Sequence, residues 1–216
     1  MTDPVAPVIE TFAALAHVVM ARRARLGAVR LVAVDGPSGA GKTTFAGRLA
    51  RVLPADTAVV PTDAFLDGWA EPLSVWPALR SDVLDPLAAD RPAAYQAYDW
   101  MLQRFGPEAT PVAVPAVLIL EGVTSACAAV RPQLSLAVFV TGDPAERTER
   151  TLARDGPNIE AALRNWQAAE TMYFEAERTA DVADVVVDGT TDLRHDPEKE
   201  YVCLRRAGAP TGGWRR

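Results

Sequence analysis

The segment Gly36-Pro37-Ser38-Gly39-Ala40-Gly41-Lys42-Thr43 constrains this chain more than any other. It satisfies GxxxxGK[ST], follows a short apolar, β-prone run at 29–34 and precedes a helical pattern at 43–53. In a strand, glycine loop and helix of this kind, backbone N–H groups turn inward around phosphate oxygens and the helix N-terminus adds partial positive charge. Lys42 then neutralises the β and γ phosphates, Thr43 offers its hydroxyl to a metal ion, and Thr44 beside it completes the set of nucleotide-binding residues that begins at Gly36. ATP and Mg²⁺ are the expected cofactors.

Further buried-strand candidates lie at 58–60, 117–120, 136–140 and 185–187, with helix-like segments between most of them. Such alternation implies a mainly parallel sheet covered on both faces by helices, the three-layer αβα fold of the P-loop NTP hydrolase type. The chain has 216 residues, 49% of them apolar, enough for one domain with its own core. Within 1–216 we expect an N-terminal helix in 1–28, where Val8, Ile9, Phe12, Leu15, Ala16, Val19 and Met20 recur at helical spacing. The stretch 69–115 reads as an irregular insertion with short helices, rich in proline and holding Trp69, Trp76 and Trp100, where an acceptor pocket could be built. Two helical patterns joined near Gly156-Pro157 make 143–178 a lid and its following helix, and 190–216 reads as a polar tail.

The net charge of −6 speaks against a general polyanion-binding surface. Cys127 and Cys203 lack any disulfide or zinc-ligand spacing. No apolar run reaches the roughly 18 residues of a membrane span, and a start with Asp3 in place of a basic n-region, its apolar stretch interrupted by His17 and followed by Arg22, Arg23 and Arg25, does not resemble a cleaved signal. A cytoplasmic protein follows, with a small-molecule acceptor as partner, without nucleic acid or membrane, and with a homo-oligomer left open.

Asp63, in Thr62-Asp63-Ala64-Phe65, falls at the carboxyl end of a strand, where ligands bind in open α/β sheets. A carboxylate there accepts the proton of an attacking hydroxyl or holds a metal-bound water; the alternative is a capping residue. Glu121 closes the apolar run Val117-Leu118-Ile119-Leu120 and precedes Gly122, which suits a carboxylate orienting Mg²⁺, against the alternative of a turn residue. Arg147, Arg150 and Arg154 share one helix face at spacings of three and four, so they form either a catalytic lid over a triphosphate or an exposed ion-paired helix with Glu146 and Glu149. Arg80 and Arg104 are candidate acceptor contacts. Trp166, Tyr173 and Phe174 read as a core stripe.

The chain has no Asp-x-x-Gly, no Asn-Lys-x-Asp and no LSGGQ-like segment, which removes support for GTPases and transporter ATPases. The order of its motifs resembles the uridine kinase-like branch of P-loop kinases, which includes phosphoribulokinase and one type of pantothenate kinase. The resemblance runs from about Val29 to Gly189: the phosphate loop, the DxF-like Asp63 segment, Tyr98-Asp99-Trp100, Leu120-Glu121-Gly122, and Arg150 to Asp155 like the lid. It implies an ATP-dependent kinase with Asp63 as general base, Glu121 serving magnesium, Arg150 and Arg154 in the lid, and Tyr98 bordering the acceptor pocket; Trp100, Arg104 and Arg147 are, by residue type and position, further candidate acceptor contacts. Where uridine kinases usually present a histidine to the base, this chain has Met101-Leu102-Gln103-Arg104. A sugar, a pantothenate-like acceptor, or a non-catalytic ATP-binding regulator therefore stay open beside a uridine- or cytidine-like nucleoside.

Overall fold

The structure, a computed structural model, describes residues 6–207. Strand β1 (Val8–Thr11) runs straight into α1 (Phe12–Ala21), whose N-cap Thr11 accepts the Ala14 N–H. β2 (Arg30–Asp35) leads into the glycine loop and α2 (Lys42–Val52), and β3 (Ala58–Pro61) ends in a 3-10 turn, Thr62–Phe65. Then come α3 (Trp76–Leu79), a π-helical turn (Arg80–Leu84) and α4 (Asp85–Ala88), followed by the antiparallel pair β4 (Ala93–Asp99) and β5 (Arg104–Val112). β6 (Val117–Glu121) and β7 (Leu134–Thr141) precede α5 (Pro144–Asp155), α6 (Glu160–Glu177) and α7 (Thr179–Val182). The described chain ends with β8 (Val185–Asp188) and β9 (Glu200–Arg206).

Seven strands form one sheet in the order β1-β9-β8-β7-β2-β6-β3. β8, β7, β2, β6 and β3 are mutually parallel, while β9 runs antiparallel to both β8 and β1. Both faces of the central strands are buried, so they read as unbroken apolar runs rather than as alternation. On one face Leu31, Ala33, Leu118 and Leu120 pack against the helical insertion and α6, which contributes Trp166 and Tyr173. On the other, Val32, Val34, Val117, Ile119, Val138 and Val140 pack against Phe12, Leu15 and Val19 of α1 and Phe45, Ala46 and Leu49 of α2. The result is a three-layer αβα fold with a mostly parallel sheet.

The expected segments change in three places. The N-terminal helix of 1–28 is confined to α1; Val8 and Ile9 instead pair with Cys203 and Val202 on β9. The 69–115 insertion has the short helices but also the β4–β5 ribbon, which prolines did not prevent because a two-stranded ribbon leaves half of its N–H groups unpaired. The polar tail of 190–216 contains β9, whose Tyr201, Val202 and Cys203 are buried within the sheet; 208–216 lie outside the described residues. Charged flanks hid this strand: Glu200 begins it and Arg205-Arg206 end it, with Arg206 paired to Glu10.

Candidate active site

The parallel strands bring their carboxyl ends to one edge, and there the sequence places Asp35-Gly36, Thr62-Asp63, Glu121-Gly122, Gly142 and Asp188-Gly189. Pro61 lies opposite Glu121, and Val34 lies opposite Glu121 on its other side, so the glycine loop and the Asp63 turn flank one carboxylate. Close approach fixes the loop. A Cβ on Gly36 would lie 2.0 Å from the Val140 carbonyl oxygen, and one on Gly39 2.2 Å from that of Arg147. Gly41, at φ +94°, has nothing within 4 Å of its missing side chain, so the hollow of the loop is open at the N-terminus of α2. That hollow suits a polyphosphate.

Lys42 is buried in it, and its Nζ donates to the Pro37 carbonyl at 3.0 Å. Burial lowers its pKa, opposed by the carboxylates of Glu170, Glu121, Asp35 and Asp63. Thr43 Oγ1 donates to Glu121 Oε1 at 3.1 Å. Burial raises Glu121, opposed first by Lys42, while Asp63 raises it further. Asp63 keeps a face open to solvent but is otherwise enclosed by protein, which raises its pKa against the pull of Lys42 and Arg154. Lys42, Thr43, Asp63 and Glu121 thus stand together. A hydroxyl beside a carboxylate, with phosphate oxygens arriving at the same edge, is a donor set that fits Mg²⁺, which typically keeps several waters and takes few protein ligands.

The three arginines of α5 diverge. Arg147 is committed to the loop itself: Nε donates to Gly142 O (3.2 Å) and Nη1 to Ser38 O (3.1 Å). Arg150 reaches the Gly189 carbonyl at 2.7 Å and pairs with Glu146. Arg154, in a two-pronged pair with Asp155, is the one whose charge bears on Asp63 and Glu121. Arg104 sits exposed at the ribbon's turn, opposite Asp99.

Aromatic rings form a continuous series from the loop toward that turn. Trp166 meets Trp69 at 6.0 Å between centroids, Trp69 meets Trp100 at 5.7 Å, Trp100 meets Tyr98 at 5.2 Å, and Tyr98 meets Phe105 at 5.3 Å, all edge to face. Trp76 instead anchors its indole N–H on Thr124. Tyr95 stacks on Phe65 at 4.9 Å; burial raises its phenol, and the nearby charge of Asp63 raises it further. Sequence reasoning passed over Tyr95, although the Tyr95/Tyr98 spacing on a short apolar run was a signal.

It also passed over Asp35 and Glu170. Asp35 accepts from the N–H groups of Gly36, Thr124 and Ala126 and from the Tyr173 hydroxyl; burial nonetheless pushes it up to about 6. Glu170, buried on α6, accepts from Ser38 and Trp166. The stripe Trp166, Tyr173 is therefore core and loop support at once.

Fold and loop together define a P-loop chain with a three-layer αβα architecture. Among solved structures it resembles one described as a possible uridine kinase from Bacillus stearothermophilus, at 21% identity and TM-score 0.61, covering 81% of this chain and 96% of the other. Among curated proteins it is 30% identical over 155 residues to inorganic pyrophosphatase TTM1 of Arabidopsis thaliana, covering 66% of this chain and 24% of the relative. It is 26% identical over 176 residues to uridine-cytidine kinase C of Dictyostelium discoideum, covering 75% of this chain and 38% of the relative. The chain thus spans well under half the length of these curated relatives. No family model matches it. Among the described residues no helix is long and apolar enough to cross a membrane.

Proposed function

We propose that the chain transfers the γ-phosphoryl group of ATP to a hydroxyl of a small molecule, and that the acceptor is a nucleoside of the uridine or cytidine type. The observation that carries this is the convergence of Asp63, Glu121 and Thr43 on Lys42 at the mouth of the glycine loop. Asp63 takes the acceptor's hydroxyl proton as that oxygen bonds to the γ-phosphorus. The bond from the γ-phosphorus to the β–γ bridging oxygen breaks, and ADP leaves with its electron pair. Lys42 and Arg154 lie where they would offset charge on the phosphates, and the N–H groups of the loop would hold them. Thr43 and Glu121 would hold Mg²⁺, which when bound neutralises phosphate charge. The exposed rings of Trp69 and Trp100 offer flat apolar surface for a base, with Tyr98 buried against Trp100. The likeness to proteins described as uridine kinases agrees with this choice of acceptor.

A second reading replaces the acceptor by water, giving phosphoanhydride hydrolysis, and the relative described as an inorganic pyrophosphatase favours it. One assay separates them: ADP and phosphate release from Mg²⁺·ATP, with uridine, cytidine, sugars and pantothenate against an acceptor-free blank. Nucleoside-dependent ADP release without free phosphate supports the kinase. Equal phosphate release in every well would sink it in favour of hydrolysis.

A further inference from the structure

Every polar group of Ser38 is held from outside the phosphate loop. Its N–H donates to Glu170 Oε1 at 2.8 Å and its hydroxyl donates to the same oxygen, while Arg147 Nη1 donates to its carbonyl at 3.1 Å. Trp166 Nε1 donates both to Ser38 Oγ (2.9 Å) and to Glu170 Oε1 (2.6 Å). Glu170 is only 2% exposed, so a carboxylate almost without water takes three donors on one oxygen, an arrangement that fixes geometry tightly. The Pro37–Ser38 peptide is planar, with its C=O and N–H pointing in opposite directions. Its oxygen faces Lys42 Nζ at 3.0 Å, and its hydrogen faces Glu170.

We infer that Glu170 is a positioning residue for Lys42: it grips the Pro37–Ser38 peptide from behind, so that the Pro37 carbonyl sets the ammonium where nucleotide phosphates arrive. Trp166, one helical turn earlier on α6, orients the carboxylate, and Arg147 on α5 holds the other side of Ser38. The helices behind the loop are thereby tied to the one lysine inside it. Of the four carboxylates that sustain the charge on Lys42, Glu170 contributes most. The inference rests on the nucleotide-binding part of the reading above and is independent of the acceptor.

The test is a double-mutant cycle on ATP binding, read by calorimetry with no acceptor present. Glu170→Ala is expected to weaken ATP roughly tenfold, the scale of one lost charge-assisted hydrogen bond. In a Lys42→Met background the same change should cost less than about twofold, because the group it acts through is already gone. Glu170→Gln keeps a carbonyl acceptor and should recover part of the loss. Losses that simply add, or an Ala variant that binds ATP like the wild type, would overturn the assignment. Amide hydrogen exchange at Ser38 without nucleotide supplies a reading that ATP does not enter. It should be slow in the wild type and at least about tenfold faster in Glu170→Ala; equal rates would also overturn it. Ser38 protection that is lost in the variant, in a wild type that binds no ATP, would support the grip on Ser38 and sink the nucleotide reading instead.

Discussion

Asp63 is enclosed enough for burial to outweigh the attraction of Lys42 and Arg154, so its pKa rises above the ordinary 3.8. A general base must be ionised, so turnover should fall as pH drops through that raised value, with an acid limb displaced upward from the usual carboxylate range. A pH–rate profile of kcat/KM checks this, and an acid limb at or below the ordinary value would argue against Asp63 as the base. Asp63→Asn should lower kcat by about 10²–10⁴-fold with ATP affinity little changed, which separates a base from a nucleotide ligand. Lys42→Ala should abolish turnover and weaken ATP binding without abolishing it, since Lys42 is the cation buried in the loop while the loop's N–H groups remain. Retained turnover in the lysine variant would mean that the glycine loop is not where the phosphates sit.

At the level of elements, two glycines with opposite surroundings give opposite expectations. Gly189, just past β8, comes so close to the loop that a Cβ there would lie 1.9 Å from the Ala40 carbonyl oxygen. Gly189→Ala should therefore push the loop out of place, weakening ATP binding and lowering the melting temperature. Gly47 lies inside α2 with nothing within 4 Å of an added Cβ. Gly47→Ala should stabilise the protein by about 0.5–1 kcal/mol, the helix-interior preference of alanine over glycine, read as a shift in the urea midpoint. These neighbours also explain what was legible in the sequence. The loop, the five parallel strands and the strand-end positions of Asp63 and Glu121 could be read because each is defined by a local pattern: glycine spacing, an apolar run, a carboxylate directly after it. β1 and β9 could not, because they pair with each other across nearly the whole chain and carry charges that look like a tail. Glu170 was hidden for a similar reason, since its partner Ser38 is 132 positions away and a glutamate on a helix ordinarily faces water. Arg147 lay on the expected helix face, but the spacing could not say that the Gly142 and Ser38 carbonyls would claim its donors.

Over the whole molecule, the active edge concentrates carboxyls that the fold would rather keep neutral: Asp35, Asp63 and Glu121 are all raised by burial. For Asp35 the folded value is about 6 against an ordinary 3.8. A raised carboxyl favours the folded state most when protonated, so its contribution is complete below about pH 4 and is lost as pH climbs through about 6. A shift of that size corresponds to about 3 kcal/mol. Urea unfolding without nucleotide should therefore show stability falling between pH 4 and 6, relative to an Asp35→Asn variant in which this segment of the pH dependence is flattened. The same slope in both proteins would mean that Asp35 stays ionised, its three N–H donors and Tyr173 outweighing burial. Saturating Mg²⁺·ATP should add stability in either case, about 2.7 kcal/mol at a hundredfold excess over Kd. Part of that gain would come from bringing a divalent cation to an edge already crowded with carboxylates, so ATP with EDTA should protect the fold less than ATP with Mg²⁺. Equal protection would place the metal away from Glu121.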